Sequence, residues 1–251
     1  MFVLSCDRAY LFAHPERELS AGEQSRYDAA VAERSRGIPA QYITGHQEFW
    51  GMDLIVSPSV LIPRPETEHL IESLLLIQAQ TPGLRIADVG TGSGAIALAL
   101  AKEFPGAEIH ATDISSAALE IARANAARLQ LGTRVQFHLA DLLDGLSPPF
   151  DVVVSNPPYV GESEEDQVQL EVRKFEPRSA VFAGPVGTEI IARLIPEAFE
   201  VLRPGGWLVF EISGTIVDRI CPMLAAWTDV QVVNDLQSIP RVVRARKPVL
   251  D

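Results

Sequence analysis

The segment from Leu84 to Asp113 constrains the fold most strongly, because its pattern changes from strand to glycine loop to helix and back to strand. An apolar run over residues 84–89 predicts a buried strand, and an Ala/Leu-rich helix is predicted to end at Phe104. A second strand is predicted over residues 107–112. Strands joined by a helix in this way are typical of a parallel sheet, which indicates an open α/β fold with helices on both faces.

The loop between the first strand and its helix predicts a nucleotide-like cofactor. Its residues are Gly90, Thr91, Gly92, Ser93 and Gly94. Glycines let a ligand approach the backbone closely, and the N-terminus of the following helix offers free N–H groups to an anion. The same loop also satisfies the glycine fingerprint of dinucleotide-binding enzymes, so these residues alone leave the cofactor open.

Three further positions are candidate contacts to an adenosine group. Asp113 follows the second strand, where a carboxylate can accept hydrogen bonds from both ribose hydroxyls; helix capping is its alternative role. The third predicted strand, 135–139, leads to Asp141 and Leu142. Asp141 would accept a hydrogen bond from the adenine amino group, and Leu142 would contact the adenine ring.

A second motif closes an apolar, β-branched strand over residues 151–155. It reads Asn156, Pro157, Pro158 and Tyr159. Proline has no N–H to donate to a strand ladder, so the strand must end by Asn156, at an edge of the sheet where ligands of open α/β proteins bind. An Asn oxygen and a backbone carbonyl can accept both hydrogens of a planar amino or amide group, and an aromatic ring can stack on it. The alternative is a structural Asn-Pro turn.

The chain is predicted to have three parts. Residues 1–44 form a small helical domain, shortened at its start, in which Ser20 caps a helix that ends near Gly37. Residues 45–65 form a β-hairpin linker, and residues 66–251 form the catalytic domain. The other predicted elements are an N-terminal helical segment over 2–12, a helix from Pro65 to Leu76, a loop or short helix over 161–176, helices over 187–202 and 216–227, and strands over 207–212, 230–233 and 241–246.

Composition argues against several classes of partner. A net charge of −12 and a pI near 4.9 disfavour a broad phosphate-binding face, so we expect no direct nucleic-acid partner. The sequence has no apolar run long enough for a membrane span. Cys6 and Cys221 are isolated, and the five histidines lack ligand spacing, so we expect no metal site. These features predict a cytoplasmic protein that binds no membrane. We also expect a monomer, although composition does not determine the oligomeric state.

Together these motifs resemble a class I S-adenosylmethionine-dependent methyltransferase that modifies an amino or amide nitrogen. The resemblance covers residues 84–251 and rests on the glycine loop with Asp88 before it, on Asp113, on the Asn156–Tyr159 motif and on the stretch 203–206 before a strand. Upstream stretches are more specifically similar to the HemK/PrmC type, the peptide chain release factor N5-glutamine methyltransferases. Those stretches are 37–45, 48–51 and 61–68.

The resemblance implies S-adenosyl-L-methionine as cofactor and a seven-stranded, mostly parallel sheet whose last strand is antiparallel. It implies that the substrate is the glutamine of the Gly-Gly-Gln motif in bacterial class I release factors, which the N-terminal domain helps to hold. The implied catalytic residues are Asn156, Pro157 and Tyr159, joined by Pro158 in substrate binding. The implied cofactor contacts are Gly90, Thr91, Gly92, Ser93, Gly94, Asp113, Asp141, Leu142 and Asn156.

Other functions stay open at this point. A glutamine methyltransferase acting on a ribosomal protein would share both motifs, although the stretch 63–68 favours the release factor. A DNA adenine methyltransferase would need a basic target-reading region, and a dehydrogenase would leave residues 156–159 unexplained. Leu142 stands where the resembled family often has an aromatic residue, so we expect weaker adenine stacking and the same reaction.

Overall fold

A seven-stranded sheet organises the protein, and the computed structural model describes residues 1–78 and 83–249. Its strand order is β10-β11-β9-β6-β3-β4-β5, with β11 antiparallel to both of its neighbours and the other pairs parallel. This sheet confirms the predicted fold class. The strands are β1 His46–Phe49, β2 Met52–Ile55, β3 Arg85–Val89, β4 Glu108–Asp113, β5 Val135–Leu139, β6 Phe150–Ser155, β7 Val160–Gly161, β8 Phe182–Gly184, β9 Leu202–Glu211, β10 Thr228–Asn234 and β11 Pro240–Arg246.

Helices cover both faces of this sheet and also precede it. Short 3-10 turns lie at Pro65–Thr67, Glu162–Gln167, Gly214–Ile216 and Cys221–Leu224. The α-helices are α1 Arg8–Ala13, α2 Ala21–Ser35, α3 Ala40–Thr44, α4 Glu68–Gln78, α5 Ala95–Glu103, α6 Ser116–Arg128, α7 Leu170–Phe175, α8 Arg178–Val181, α9 Glu189–Val201 and α10 Val217–Ile220.

The central strands β3 and β6 are apolar on both sides because each side faces its own layer of helices. Val152 and Val154 belong to the core cluster that includes α4 and α5. Val153, between them, belongs to the opposite cluster, which includes α9. Successive side chains of a strand point to opposite faces, so a continuous β-branched run is what a doubly covered strand requires.

The N-terminal helices form as the capping signal predicts. The Ser20 side chain accepts from the Glu23 N–H at 3.3 Å, and the Glu23 carboxylate accepts from the Ser20 N–H at 2.9 Å, which completes a capping box at the start of α2. Gly37, at φ +87°, follows the end of that helix. Helix α1 is shorter than the predicted segment 2–12, since it begins only after its cap at Asp7.

The predicted hairpin is β1–β2, and a buried asparagine attaches it to the catalytic fold. Asn125 on α6 donates to the Ile55 C=O at 3.0 Å and accepts from the Ile55 N–H at 2.7 Å. The same side chain donates to the Ser93 C=O at 2.9 Å. The hairpin, helix α6 and the glycine loop are therefore held by one amide group.

Three parts of the C-terminal half differ from the prediction. Strand β9 begins at Leu202, five residues before the strand predicted over 207–212, because Leu202 already pairs with Phe150 of β6. The helix predicted over 216–227 is wrong as a continuous element: α10 ends at Ile220 and a 3-10 turn begins at Cys221. Pro222, which has no N–H to donate, lies at the start of that turn and explains the break. The two-stranded parallel sheet β7–β8 was not predicted.

The β7–β8 pair depends on Gly187, which follows β8. Gly187 has φ +90°, and a Cβ there would lie 2.7 Å from the Tyr159 carbonyl oxygen and 2.8 Å from the Gly161 nitrogen. Only glycine fits so close an approach without displacing backbone. The loop that follows β8 is therefore packed directly against the backbone of residues 159–161.

The division into domains at residues 44/45 and 65/66 stays a prediction. Residues 79–82 and 250–251 of the predicted catalytic domain lie outside the described residues. Within the described ranges, no helix is both long enough and apolar enough to cross a membrane.

Candidate active site

The loops that follow β3, β4, β5 and β6 surround a cavity of about 350 Å³ at the carboxyl edge of the sheet. This volume suits a small-molecule ligand. Of the nine predicted cofactor contacts, eight line the cavity: Gly90, Thr91, Gly92, Ser93, Asp113, Asp141, Leu142 and Asn156. Gly94 is absent from the lining. It caps α5, and a Cβ there would lie 3.2 Å from Leu98 Cδ1 and 3.3 Å from Ala122 Cβ, so it serves helix packing.

Hydrogen bonds between neighbouring loops fix the shape of this cavity. The Thr91 N–H donates to the Thr112 C=O at 2.8 Å, and the Thr112 hydroxyl donates to the Leu142 C=O at 2.7 Å. The Ser155 hydroxyl donates to the Val89 C=O at 2.8 Å. Each strand end is thus tied to its neighbour, which positions the four loops before any ligand binds.

Two glycines leave the glycine-loop side of the cavity open. Gly90 has φ +71° and Gly92 has φ +56°, a region that disfavours other residues. A Cβ built at either position meets no other atom within 4 Å. The space beside this backbone is therefore free, as a loop that accepts a nucleoside-like ligand requires.

Asp113 holds the glycine loop while it faces the cavity. Its carboxylate accepts from the Gly92 N–H at 2.9 Å and from the Ser115 N–H at 2.8 Å. Burial raises the pKa of Asp113, although these backbone hydrogen bonds act in the opposite direction. Each carboxylate oxygen has a second lone pair, so the group can still accept from ligand hydroxyls. The cap of α6 is Ser115, so capping is not the role of Asp113.

Asp141 and Leu142 also line the cavity, in the loop after β5. Asp141 is paired with Arg193 at 2.8 Å and is about half exposed. Leu142 has φ +51°, an uncommon conformation for a branched side chain, and packs against the core cluster that includes α9. These contacts hold Asp141 and Leu142 in place, and they are the two residues that the sequence predicts to contact the adenine group.

Asp88, near the end of β3, is a buried carboxylate. Its Oδ2 accepts from the Thr91 hydroxyl at 2.6 Å and from the Ala97 N–H at 3.1 Å, while its Oδ1 has no hydrogen-bond partner among the described residues. Complete burial raises the pKa of Asp88 to about 7. Asp88 therefore anchors the glycine loop to the first turn of α5.

A second cavity, of about 580 Å³, lies on the other side of the Asn156–Tyr159 motif. Asn156 and Pro158 line both cavities, and Tyr159 lines the second one. The walls of this second cavity mix charged, amide and apolar side chains. Among them are Leu61, Arg64, Glu66, Gln167, Gln169 and Arg241.

A buried glutamate connects the outer residues of this motif. The Asn156 side-chain Nδ2 donates to Thr67 Oγ1 at 3.1 Å, and Thr67 Oγ1 donates to Glu211 Oε2 at 2.6 Å. The Tyr159 hydroxyl donates to Glu211 Oε1 at 3.1 Å. Burial raises the pKa of Glu211, and burial followed by the Glu211 charge raises the pKa of Tyr159.

Sequence reasoning missed Thr67 and Glu211 as site residues. Thr67 belongs to the distinctive stretch 63–68, but nothing in its pattern shows where its hydroxyl points. Glu211 is only 1% exposed in a strand that is otherwise apolar around it. The signal available in the sequence was a single acidic residue at the end of an apolar strand, because a buried carboxylate needs hydrogen-bond or charge partners.

Two family models match parts of the chain. The model described as Methyltransferase small domain matches residues 67–174, which include both motifs. The model described as PrmC N-terminal domain matches residues 1–45, which include helices α1 to α3.

Two solved structures share the fold. A methyltransferase from Pyrococcus furiosus has a TM-score of 0.58 at 21% identity, and the match covers 92% of this chain and 100% of that one. A 16S rRNA N2 methyltransferase from T. thermophilus, in complex with AdoMet and guanosine, has a TM-score of 0.59 at 20% identity, covering 80% and 49%. At such identities the likeness supports the fold alone.

Curated proteins named release factor glutamine methyltransferase match almost the whole chain. The protein from Koribacter versatilis is 57% identical over 250 residues, which are 99% of this chain and 89% of its own length. The protein from Xylella fastidiosa strain 9a5c is 42% identical over 251 residues, with 99% and 90% covered. Identity at this level along nearly all of both sequences shows that the chain belongs to the release factor glutamine methyltransferase family.

Proposed function

We propose that this protein transfers a methyl group from S-adenosyl-L-methionine to the side-chain amide nitrogen (N5) of the glutamine in the Gly-Gly-Gln motif of bacterial class I release factors. The observation that carries the proposal is the pair of cavities that share Asn156 and Pro158. A transferase needs its two reactants on opposite sides of one reacting point, and these residues form the wall where the two spaces meet. The names of the curated relatives support the choice of substrate.

The first cavity fits the cofactor. The free space beside the backbone of Gly90 and Gly92 would admit the part of the ligand that lies closest to the glycine loop. The Asp113 carboxylate would accept hydrogen bonds from the ribose hydroxyls of the ligand. Asp141 and Leu142 would contact the adenine group. S-adenosyl-L-methionine, when bound, supplies an electrophilic methyl group on a sulfonium centre.

The motif that closes β6 would hold the substrate amide. Asn156 Oδ1 and the Pro157 C=O would each accept one hydrogen of the glutamine –NH2 group, and the Tyr159 ring would pack on the amide plane. With both hydrogens engaged, the nitrogen is turned toward the first cavity. Pro157 and Pro158 keep this wall of acceptors stiff because their φ angles are fixed.

Orientation, and not a general base, accounts for catalysis in this proposal. The amide nitrogen lone pair is delocalised into the carbonyl, and no protein side chain is basic enough to deprotonate the amide beforehand. The N–C bond would form as the S–C bond of the sulfonium breaks and leaves a neutral thioether, and one of the two N–H protons would then pass from the methylated nitrogen to water. Holding reactants in a near-attack geometry can lower a barrier by up to ~7–11 kcal/mol. Rigid acceptors on a strand end are suited to that task, since they require no rearrangement.

A translation factor as substrate would place the reaction in the cytoplasm, with the protein acting as a monomer on one release factor. The N-terminal helices would help to hold that factor beside the second cavity. In support, Arg34 of α2 pairs with Glu171 of α7 at 2.5 Å, and Val172 of the same α7 lines the second cavity.

Mass spectrometry of a recombinant class I release factor, incubated with the protein and the cofactor, tests the proposal. One methyl group on the Gly-Gly-Gln glutamine is expected, and a release factor with alanine in place of that glutamine should gain none. Cofactor binding measured by calorimetry should accompany this result. Bound cofactor without methylation of the release factor would reject the substrate, whereas no cofactor binding would reject the reaction class.

A further inference from the structure

We infer that Glu211, acting through Thr67, determines which way round the Asn156 amide group sits, so that Oδ1 and not Nδ2 faces the substrate. The inference rests on the proposed function and makes Glu211 and Thr67 positioning residues for it. An amide has one accepting end and one donating end of nearly equal size. Only the accepting end can hold a glutamine –NH2 hydrogen, so orientation decides whether the motif works.

The direction of each hydrogen bond in the chain from Glu211 to Asn156 follows from the number of protons available. While Glu211 is ionised its carboxylate can only accept, so the single Thr67 hydroxyl proton is then committed to Glu211 Oε2, 2.6 Å away. Thr67 Oγ1 then has only lone pairs for its other neighbour, which is Asn156 at 3.1 Å. Asn156 must present Nδ2 to Thr67, and its Oδ1 is directed away from Thr67.

The reversed orientation of the Asn156 amide would leave one buried acceptor without a hydrogen bond. With Oδ1 facing Thr67, the hydroxyl proton could serve either Asn156 or Glu211 but not both. Thr67 is 4% exposed and Glu211 is 1% exposed, so water does not replace the missing partner readily. An acceptor left unpaired in such a place is costly, which keeps one orientation of the amide dominant.

The protonation state of Glu211 controls this arrangement. A protonated Glu211 could donate to Thr67 Oγ1, which frees the Thr67 hydroxyl to donate to Asn156 Oδ1 and stabilises the reversed amide. The groups that face Glu211 are the Tyr159 and Thr67 hydroxyls, which donate to it, the positive Arg241 on β11, and Glu66 before α4. Burial, the largest influence, and Glu66 oppose the ionised form of Glu211, whereas the two hydroxyls and Arg241 favour it.

A matched pair of variants at Thr67 tests the inference. Thr67→Val removes the hydroxyl at nearly constant volume, while Thr67→Ser keeps it. We expect kcat of Thr67→Val to fall at least about tenfold, equivalent to ~1.4 kcal/mol, with the Kd of the cofactor within about twofold of the parent value. Thr67→Ser should recover most of the lost rate. Loss of rate in both variants would indicate that the residue acts through packing.

The pH profile of Glu211→Gln supplies a readout that a packing role would not change. In the parent protein, kcat should rise with pH as Glu211 loses its proton, whereas Glu211→Gln should lack this acid limb because residue 211 no longer titrates. Both proteins use the same release factor and cofactor, so titrations of the reactants cancel in the comparison. Thermal unfolding of each variant, measured in parallel, shows that the variants are folded.

The outcomes separate this inference from the function on which it rests. If the parent protein does not methylate the release factor, the proposed function fails. If the parent methylates it and Thr67→Val does so equally fast, the function stands and the inference is overturned. An unchanged acid limb in Glu211→Gln would likewise overturn the role of Glu211.

Discussion

The backbone N–H of Gly92 donates to Oδ2 of Asp113 at 2.9 Å, which joins the glycine loop to the end of the neighbouring strand. We expect Asp113→Asn to weaken cofactor binding by roughly 10- to 100-fold, because hydrogen bonds to a charged group contribute about 1.5–3 kcal/mol. The asparagine would also turn a donor toward either Gly92 or Ser115. Isothermal calorimetry with the cofactor measures this change.

The affinity for the release factor is the control for this variant. Asp113 lines the first cavity only, so release-factor binding to Asp113→Asn should stay within about twofold of the parent. Equal losses for both ligands would mean that the substitution disturbs the fold instead of one contact.

Asn156 lines both cavities, yet its main task in the proposal lies on the substrate side. Asn156→Ala should lower kcat by roughly 100-fold or more, since a misplaced reactant loses most of the advantage of orientation. The cofactor Kd should stay nearly unchanged. Single-turnover methylation together with calorimetry distinguishes the two effects, and a parallel collapse of cofactor affinity would show that the role is assigned to the wrong ligand.

Tyr159 contributes both a ring and a hydroxyl, and two variants separate them. Tyr159→Phe keeps the ring and removes the donor to Glu211 Oε1, so we expect a loss of roughly 2- to 10-fold in kcat, as for one hydrogen bond. Tyr159→Ala also removes the surface that would pack on the amide plane, and its loss should be much larger. Steady-state kinetics with the release factor measures both; equal losses would assign the whole effect to the hydroxyl.

The sequence was sufficient for the parts of the site that depend on local chemistry. Pro157 and Pro158 have no N–H to donate to a ladder and so end the central strand β6, and the glycine loop at Gly90 and Gly92 needs positive φ angles that few other residues adopt. The two motifs follow β3 and β6, which are adjacent parallel strands, so their side chains had to meet at one edge of the sheet. The cavity lining confirms that meeting.

Contacts between segments distant in sequence could not be predicted in the same way. Thr67 and Glu211 are far apart along the chain, and their hydrogen bond depends on how α4 packs against the sheet. Gly94 fits the glycine pattern but serves the packing of α5 against α6, a difference that only the position of Ala122 reveals. Pro222 is a breaker whose effect the apolar periodicity of its segment concealed.

The raised pKa of Asp88 predicts a specific dependence of stability on pH. The folded protein keeps the Asp88 proton up to about pH 7, whereas the unfolded chain releases it near the ordinary value of 3.8. Between these values the folded state binds more protons, so the free energy of unfolding should fall as pH rises, by up to roughly 4 kcal/mol from this group.

The variant Asp88→Asn isolates that contribution because residue 88 no longer titrates. Urea unfolding at pH 5 and pH 8 should show a smaller fall in stability for the variant than for the parent. Asp113 and Glu211 also have raised pKa values and retain their share in both proteins. Identical slopes in the two proteins would mean that Asp88 is ionised throughout.

The hairpin and helix α6 are linked in two ways, and their energies should differ. Asn125, fully buried, makes three hydrogen bonds to Ile55 and Ser93, whereas Arg128 on the same helix pairs with Asp53 in a partly exposed salt bridge. Asn125→Ala leaves buried backbone groups without partners and should lower the free energy of unfolding by ~2–4 kcal/mol. Arg128→Ala should cost at most ~1 kcal/mol, because exposed ion pairs are screened by water and salt. Urea denaturation of both variants measures the difference, and the comparison requires equal m-values. Similar losses of stability would show that the surface charges hold the hairpin as firmly as the buried amide does.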